Sequence, residues 1–371
     1  MRILLVGDEA SLPADLIDYI GDLGDEWQVQ RVADGNGAIA TIASSPVDAV
    51  ITAPHLPDLT AATLLGQIRT LRPETIRIAL IDADSSTRPP PARIIGVAHR
   101  FLPLPLSPEV LLDALTSLEE LRELLDSPHL RTSIGRIEKL PSPPHLYLSL
   151  KHALEEDENC DTARIADLIA GDPGVAAKVL QLSNSAFFNT GRSITDLRAA
   201  VTRLGLSTLR DLVLASEVFS GQSLSNAERN ALQMRALAAS RMAGKLLPAS
   251  SADLGATAAL LADIGLLLPG VRNEREPQVA GDDRPGHAEA GAYLLGLWGL
   301  PMPIIEAVAF QMQPQRSNLR SFWVTGAVHV ATALVSGAAV NEEYLAKVGM
   351  LPKLDAWREQ AAALSGLALE A

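Results

Sequence analysis

Apolar and polar positions fall into two textures along the chain. From Met1 to about Arg122, short apolar runs alternate with segments whose apolar residues recur at helical spacing. Ile3–Val6, Val47–Thr52 and Ile76–Ile81 are compact runs of strand type, with helical periods over Leu12–Leu23, Gly35–Ala43 and Thr60–Leu71. Near-continuous apolar strands alternating with helices predict a doubly wound parallel sheet covered on both faces. Functional groups of such a sheet gather at the carboxyl ends of its strands. Those ends are Gly7-Asp8-Glu9, Ala53-Pro54-His55, Asp82-Ala83-Asp84 and Pro103-Leu104-Pro105.

Leu106–Leu125 reads as the last helix of this unit, and Asp126-Ser127-Pro128 as its break. From about Arg131 onward almost everything has a helical period, with Gly and Pro as punctuation at Asp172-Pro173, Gly205, Pro269-Gly270 and Leu300-Pro301. The expected organisation is an α/β domain over 1–122, a linker over 123–133, an all-α domain over 134–340 and a helical extension over 341–371. Within the helical part, Asp172-Pro173 suits a helix start, an N-cap acceptor followed by proline. Asn184-Ser185 suits that helix's end, and Phe187-Phe188 an inter-helix core.

Composition narrows the function classes. The 371 residues suit two domains, and 47% hydrophobic with 20% charged residues gives enough apolar material for both cores. The 31 basic against 44 acidic side chains leave a net charge of −13, which argues against binding nucleic acid backbones or anionic membranes. Residues 1–122 hold 9 Arg, no Lys and 17 acids, so −8 of that charge lies there. The single cysteine, Cys160, excludes an intrachain disulfide and a multi-thiolate metal site. The first apolar run stops at Gly7 and Thr257–Val271 contains Asp263, so neither a signal peptide nor a span is expected, and the chain is read as cytoplasmic.

The order I-L-L-V-G-D-E, D-A-V-I-T-A-P-H-L-P, I-A-L-I-D-A and R-F-L-P-L-P-L over residues 1–122 resembles the receiver domain of response regulators. The resemblance implies a five-stranded sheet bearing a phosphoacceptor carboxylate, a pair of acids for Mg²⁺, a switch hydroxyl and a lysine. At the matching positions this chain has Ala53 for the acceptor, Gly7 before Asp8 and Glu9 for the acid pair, Asp82 for the hydroxyl and Leu104 for the lysine. The first lysine anywhere is Lys139, so no shift of register can supply one. His55, beside the acceptor position, is a weak substitute without lysine or acid pair. The expectation is a degenerate, phosphorylation-independent receiver.

The segments K-L-P-S-P-P-H (139–145), A-D-L-I-A-G-D-P-G-V-A-A-K-V-L-Q-L-S-N-S-A-F-F (166–188), I-T-D-L-R-A-A-V-T-R-L-G-L (194–206), L-L-A-D-I-G (260–265) and H-A-E-A-G-A-Y-L-L-G-L-W-G-L-P (287–301) are similar to the HDOD domain, a relative of HD phosphohydrolases. HD enzymes hold metal with clustered histidines and carboxylates. Here the His-Asp pair is Ala262-Asp263, Thr332 stands where a late Asp would close the site, and Gln311 and Gln313 replace histidines. His287 and His329 read as core or helix-end histidines. Arg192, Arg198, Arg203 and Arg210 form the one candidate anion or partner surface.

These features lead to a non-enzymatic signalling regulator or scaffold, with no cofactor and no metal. Its expected partners are proteins, with a homodimer through the receiver-like face as one form. The alternatives are a metal-dependent HD-type phosphohydrolase of nucleotides or cyclic dinucleotides, and a nucleotide second-messenger binding module.

Overall fold

The computed structural model describes residues 1–9, 12, 27–82, 92–125, 127–136, 162–185, 193–214, 225–277, 281–317 and 321–367. The first half is a five-stranded all-parallel sheet of β1 (Arg2–Val6), β2 (Gln28–Val32), β3 (Ala49–Thr52), β4 (Ile76–Asp82) and β5 (Arg100–Leu104), in the order β2-β1-β3-β4-β5. Helices α1 (Gly35–Ser44), α2 (Ala61–Leu71), α3 (Ala92–Ile95) and α4 (Pro108–Leu124) flank it. Every residue of β3 is buried, as are four of the five in β1, so both faces of the sheet are covered. The doubly wound fold is therefore as expected. The β2 strand escapes the apolar-run criterion because its residues, Gln-Val-Gln-Arg-Val, form a half-exposed edge.

Residues 123–133 do not form the expected linker. α4 runs through Leu124, and α5 (Pro128–Gly135) starts three residues after Leu125, with the Ser127 hydroxyl accepting from the Leu130 amide at 3.3 Å. Leu125, Leu130 and Ile134 are buried. A Cβ at Gly135 would fall 1.8 Å from the Pro73 carbonyl oxygen, so this helix lies directly on the backbone ahead of β4. The proline after Ser127 breaks α4 but also opens α5, because proline fits the first helical turn.

The second half is helical: α6 (Thr162–Ala170), α7 (Pro173–Asn184), α8 (Leu197–Leu214), α9 (Asn226–Leu246), α10 (Ala249–Leu261), α11 (His287–Leu297), α12 (Met302–Ala309) and α13 (Val324–Ser336). α7 begins as its sequence predicts, with Asp172 accepting from the Val175 amide at 3.0 Å. It ends with Asn184 and Ser185 bonded to the Leu180 and Leu182 carbonyls. α8 is kinked at Gly205, whose φ of 75° is open to glycine at little cost. The apolar stretch Ala249–Leu267 is long enough to cross a membrane, yet 61% of it is buried among the other helices, as in a core helix. The extension contributes α14 (Glu342–Lys347) and α15 (Leu354–Leu367), and Trp357 stacks on Phe322 at 5.3 Å. Phe187, Phe188, Cys160 and residues 139–145 lie outside the described residues.

The two halves meet through buried cations. The Arg100 guanidinium donates to the Gly296 and Leu297 carbonyls at the end of α11 (2.6 and 3.2 Å) and to Ala114 O and Ser117 Oγ of α4 (3.0 and 2.5 Å). Arg77, inside the apolar β4 run, donates to the carbonyls of Val97 at 2.8 Å and Gly135 at 3.0 Å, and approaches His99 Nε2 at 2.8 Å. Lys178 of α7 donates to Ile95 O at 3.2 Å and sits 4.6 Å from the Trp298 ring centre. Its neighbour Gln181 donates to His99 O at 2.8 Å. Gly296 is small where α11 crosses α4, since a Cβ there would lie 2.3 Å from Leu121 Cδ1.

Burial pulls Lys178 down from 10.5 to about 7. A base whose folded pKa is depressed binds fewer protons folded than unfolded, so its cost is full below about pH 7 and is relieved as pH rises toward 10.5. Lys178→Met is therefore expected to gain stability over the parent at pH 6–7 and to lose that advantage toward about pH 10. Urea unfolding of both proteins across this range measures it; a constant difference would contradict the burial reading.

Candidate functional site

The carboxyl ends of β1 and β3 come together where a receiver carries its phosphoacceptor. Here the place is closed. Ala53 is fully buried, and a Cβ on Gly7 would lie 2.8 Å from the Ala53 methyl and 3.2 Å from Leu12 Cδ1. Gly7 also has a φ of +154°, which side chains rarely adopt. An acid at either position would have to displace this packing. Asp8 and Glu9 point outward, and Glu9 faces Arg31 at 3.7 Å. His55 is exposed on the bridge to Thr60. Asp82 ends β4 beside Leu104, which is half-buried. This donor set does not fit Mg²⁺, which takes clustered oxygen ligands.

The second candidate site lies where the 3-10 turn Ile264–Leu267 packs on the start of α11. A Cβ on Gly265 would fall 1.9 Å from His287 O, so the A-D-I-G segment is pressed against the helix that carries His287. Asp263 is buried, and its Oδ1 lies 2.7 Å from Arg275 Nη2 and 3.6 Å from His287 Nε2. The approach of Arg275 is ionic rather than aligned, leaving Oδ1 without a directed hydrogen bond. Burial alone would raise the Asp263 pKa, but the close approach of His287 and the Arg275 charge override it and hold the carboxyl at about 2.

The surrounding groups complete a hydrogen-bonded network rather than a ligand shell. His287 Nδ1 accepts from the Glu274 amide at 3.1 Å, and its Nε2 lies 3.2 Å from Arg275 Nη1 and 3.6 Å from Asp263 Oδ1. The Glu274 carboxylate caps α11 by accepting from the Ala288 amide at 2.9 Å. Gln311 accepts from Arg275 at 3.2 Å and donates to the Ala262 carbonyl. His329 Nε2 accepts from the Asn341 amide at 2.9 Å, so Nδ1 donates to Gln311 O at 2.7 Å, and burial favours its neutral form. Thr332 is turned back onto its own helix, donating to Val328 O at 2.8 Å.

The structure thus gathers Ala262, Asp263, His287, Gln311 and His329, while Thr332 is occupied elsewhere. The guanidinium of Arg275 takes the place beside Asp263 that a metal would need. Among the described residues no group of three His, Cys, Asp or Glu side chains is placed to hold a metal. An arginine is permanently charged and has no lone pair to offer, so this donor set does not suit a divalent ion. Arg275 and Glu274 carry no motif and lie in the R-N-E-R-E loop (272–276); their alternating charges beside a degenerate motif are the only sequence signal for them.

Of the expected arginine surface, the side chains of Arg198 and Arg203 are described. The kink at Gly205 separates Arg198 and Arg203 from the part of α8 carrying Arg210. Arg198 faces Asp167 at 3.6 Å with both side chains exposed, and Arg203 is half-buried. Arg192 and the Arg210 side chain lie outside what is described.

A closed receiver-type sheet joined to a helical domain with a filled HD position defines a receiver–HD-like architecture. Residues 140–283 match the HDOD domain, and the chain carries an HDOD domain there. Among solved structures it is similar to the MmoQ response regulator from Methylococcus capsulatus str. Bath: 22% identity, 61% of this chain, 98% of that chain, TM-score 0.46. It is also similar to the signal receiver domain of an HD domain-containing protein from Pseudomonas fluorescens Pf-5: 29% identity, 33% of this chain, 89% of that chain, TM-score 0.29. A curated protein of Treponema pallidum (strain Nichols), described as uncharacterized, is 30% identical over 202 residues, 47% of this chain. The match spans 38% of that relative's length. The HDOD domain supports a signalling role.

Removing Arg275 isolates a buried carboxylate, so Arg275→Ala should cost on the order of 3–5 kcal/mol. The sign with pH follows from the depressed Asp263 value: its contribution is present above 3.8 and is lost as pH falls toward about 2. The parent should lose about 2 kcal/mol of stability over that fall, and Arg275→Ala much less. Urea midpoints at pH 5, 4 and 3 read this out; parallel slopes for the two proteins would contradict it.

Proposed function

We propose that this protein is a non-enzymatic signal-transduction regulator that acts through protein–protein contacts and without phosphorylation. The observation that carries the proposal is that apolar packing and a guanidinium fill the two reactive places of its domains. Gly7, Ala53 and Leu12 take up the phosphoacceptor pocket, and Arg275 lies on Asp263. Phosphoryl transfer needs an acceptor and a charge clamp, and HD-type hydrolysis needs a metal that activates water. Neither need is met by the groups present, and this favours a binding role over the hydrolase alternative.

The partner is a signalling protein or regulatory enzyme in the cytoplasm, or a second copy of the chain. The α3, α4 and β5 region of the receiver-like half is packed on the helical half through Arg100, Lys178 and Gln181. A partner or second copy would therefore meet other faces, and the helical domain would present the output surface.

Incubating the full chain with radiolabelled acetyl phosphate and Mg²⁺ should leave it unlabelled. Protein purified without chelator should contain Mn, Fe and Zn well below one per chain. It should not hydrolyse a chromogenic phosphodiester with added Mn²⁺. Stable label within residues 1–122, or stoichiometric metal with turnover, would overturn the proposal.

A further inference from the structure

α9 packs against α10 and α13 and leaves one face in solvent. Along that face, at helical spacing, lie Asn230, Met234, Leu237, Arg241 and Lys245. Met234 is 41% exposed and Leu237 is half-buried, so the middle of the face is apolar. Arg241 and Lys245 are exposed four residues apart, and among the described residues neither meets a carboxylate. Like charges at that spacing repel. The only acid within α9, Glu228, is taken up at the helix start by the Ser225 amide at 2.9 Å.

The other half of the chain carries the complement of this face. α4 buries Leu111, Ala114, Leu115, Leu118 and Leu121, and it turns Glu109, Asp113, Thr116, Glu120 and Glu123 outward. These outward positions recur every three or four residues, so the four carboxylates form one stripe with no cation in it. The one base of α4, Arg122, lies to the side and pairs with Asp48 at 2.8 Å. Among the described residues none of the four acids forms an ion pair, so nothing joins the two faces within one chain. The step from Arg241 to Lys245 and that from Glu109 to Asp113 are equal, about 6 Å along a helix.

Charge decides the occupant. Two α4 faces would repel each other, as would two α9 faces, which disfavours a symmetric contact at either. An acidic partner would satisfy α9 alone and a basic one α4 alone, whereas a second copy of the chain satisfies both. We propose that the exposed face of α9 docks on α4 of a second copy. Met234 and Leu237 form the apolar centre of that contact, and Arg241 and Lys245 pair with the α4 carboxylates. Because the two surfaces differ, the contact is head-to-tail, joining the helical half of one chain to the receiver-like half of the next. This self-contact rests on the reading that the chain works through protein surfaces, and it names one of the partners.

Sedimentation velocity of the full chain, over a concentration series reaching about 100 µM, tests this contact. The mass should rise above that of one chain, and the association should weaken about tenfold between low salt and ~0.5 M NaCl. Arg241→Glu with Lys245→Glu should abolish association, as should Glu120→Lys with Glu123→Lys. Each pair should leave the unfolding midpoint unchanged, because all four side chains are exposed. Mixing the two double variants should restore association, since each presents the charge that the other lacks. A parent that stays a single chain in low salt would overturn the self-contact, and binding to a different protein would then leave the wider reading standing. Association that survives either pair of substitutions, or a mixture that stays monomeric, would also overturn it.

Discussion

Arg77, Arg100 and Lys178 are buried where the sheet meets the helices, and they end on carbonyl oxygens rather than on carboxylates among the described residues. Removing such ions from water costs several kcal/mol each. Charged hydrogen bonds return about 1.5–3 kcal/mol apiece, but only where geometry is met. Arg100 does so at the carbonyl end of α11, where the helix dipole adds about half a negative charge. An apolar contact of the same area would tolerate sliding. This one penalises it, because each displaced carbonyl and cation would be stranded in an apolar interior. The depressed values of Arg77, Arg100 and Lys178, about 9, 10 and 7, all arise first from burial.

This constraint places the domain contact at the amino ends of β4 and β5, away from the carboxyl ends where a receiver does its chemistry. The carboxyl ends of β1 and β3 are packed shut by Gly7, Ala53 and Leu12, while the amino end of β5 packs on the helical half. The HD position follows the same pattern, with Arg275 supplying as a side chain the positive charge that a buried Asp263 requires.

Much of this was legible in the chain itself. Apolar runs located β1, β3 and β4. β2 was not legible, because an edge strand with polar residues has no apolar period to detect. The linker reading failed because Ser127-Pro128 encodes both a stop and a start, and only tertiary packing of Leu130 and Ile134 distinguishes a tether from a helix. Spacing along a helix presumes a straight one, so the bend at Gly205 was not legible. The interface has a signal in the sequence. Arg77 interrupts Ile76–Ile81, and Lys178 interrupts the apolar face of α7. A cation inside an apolar run calls for a carbonyl or carboxylate from another element.

The central claim is that the receiver-like half is held in one fixed position on the HDOD half by these buried cations. Spin labels at exposed Leu71 and Leu351, in a chain with Cys160 replaced, report the distance between the halves directly. Double electron–electron resonance should give one narrow distance, unchanged by acetyl phosphate with Mg²⁺ and broadened by Arg100→Met. A broad distribution in the parent, or a shift on adding acetyl phosphate, would contradict the account.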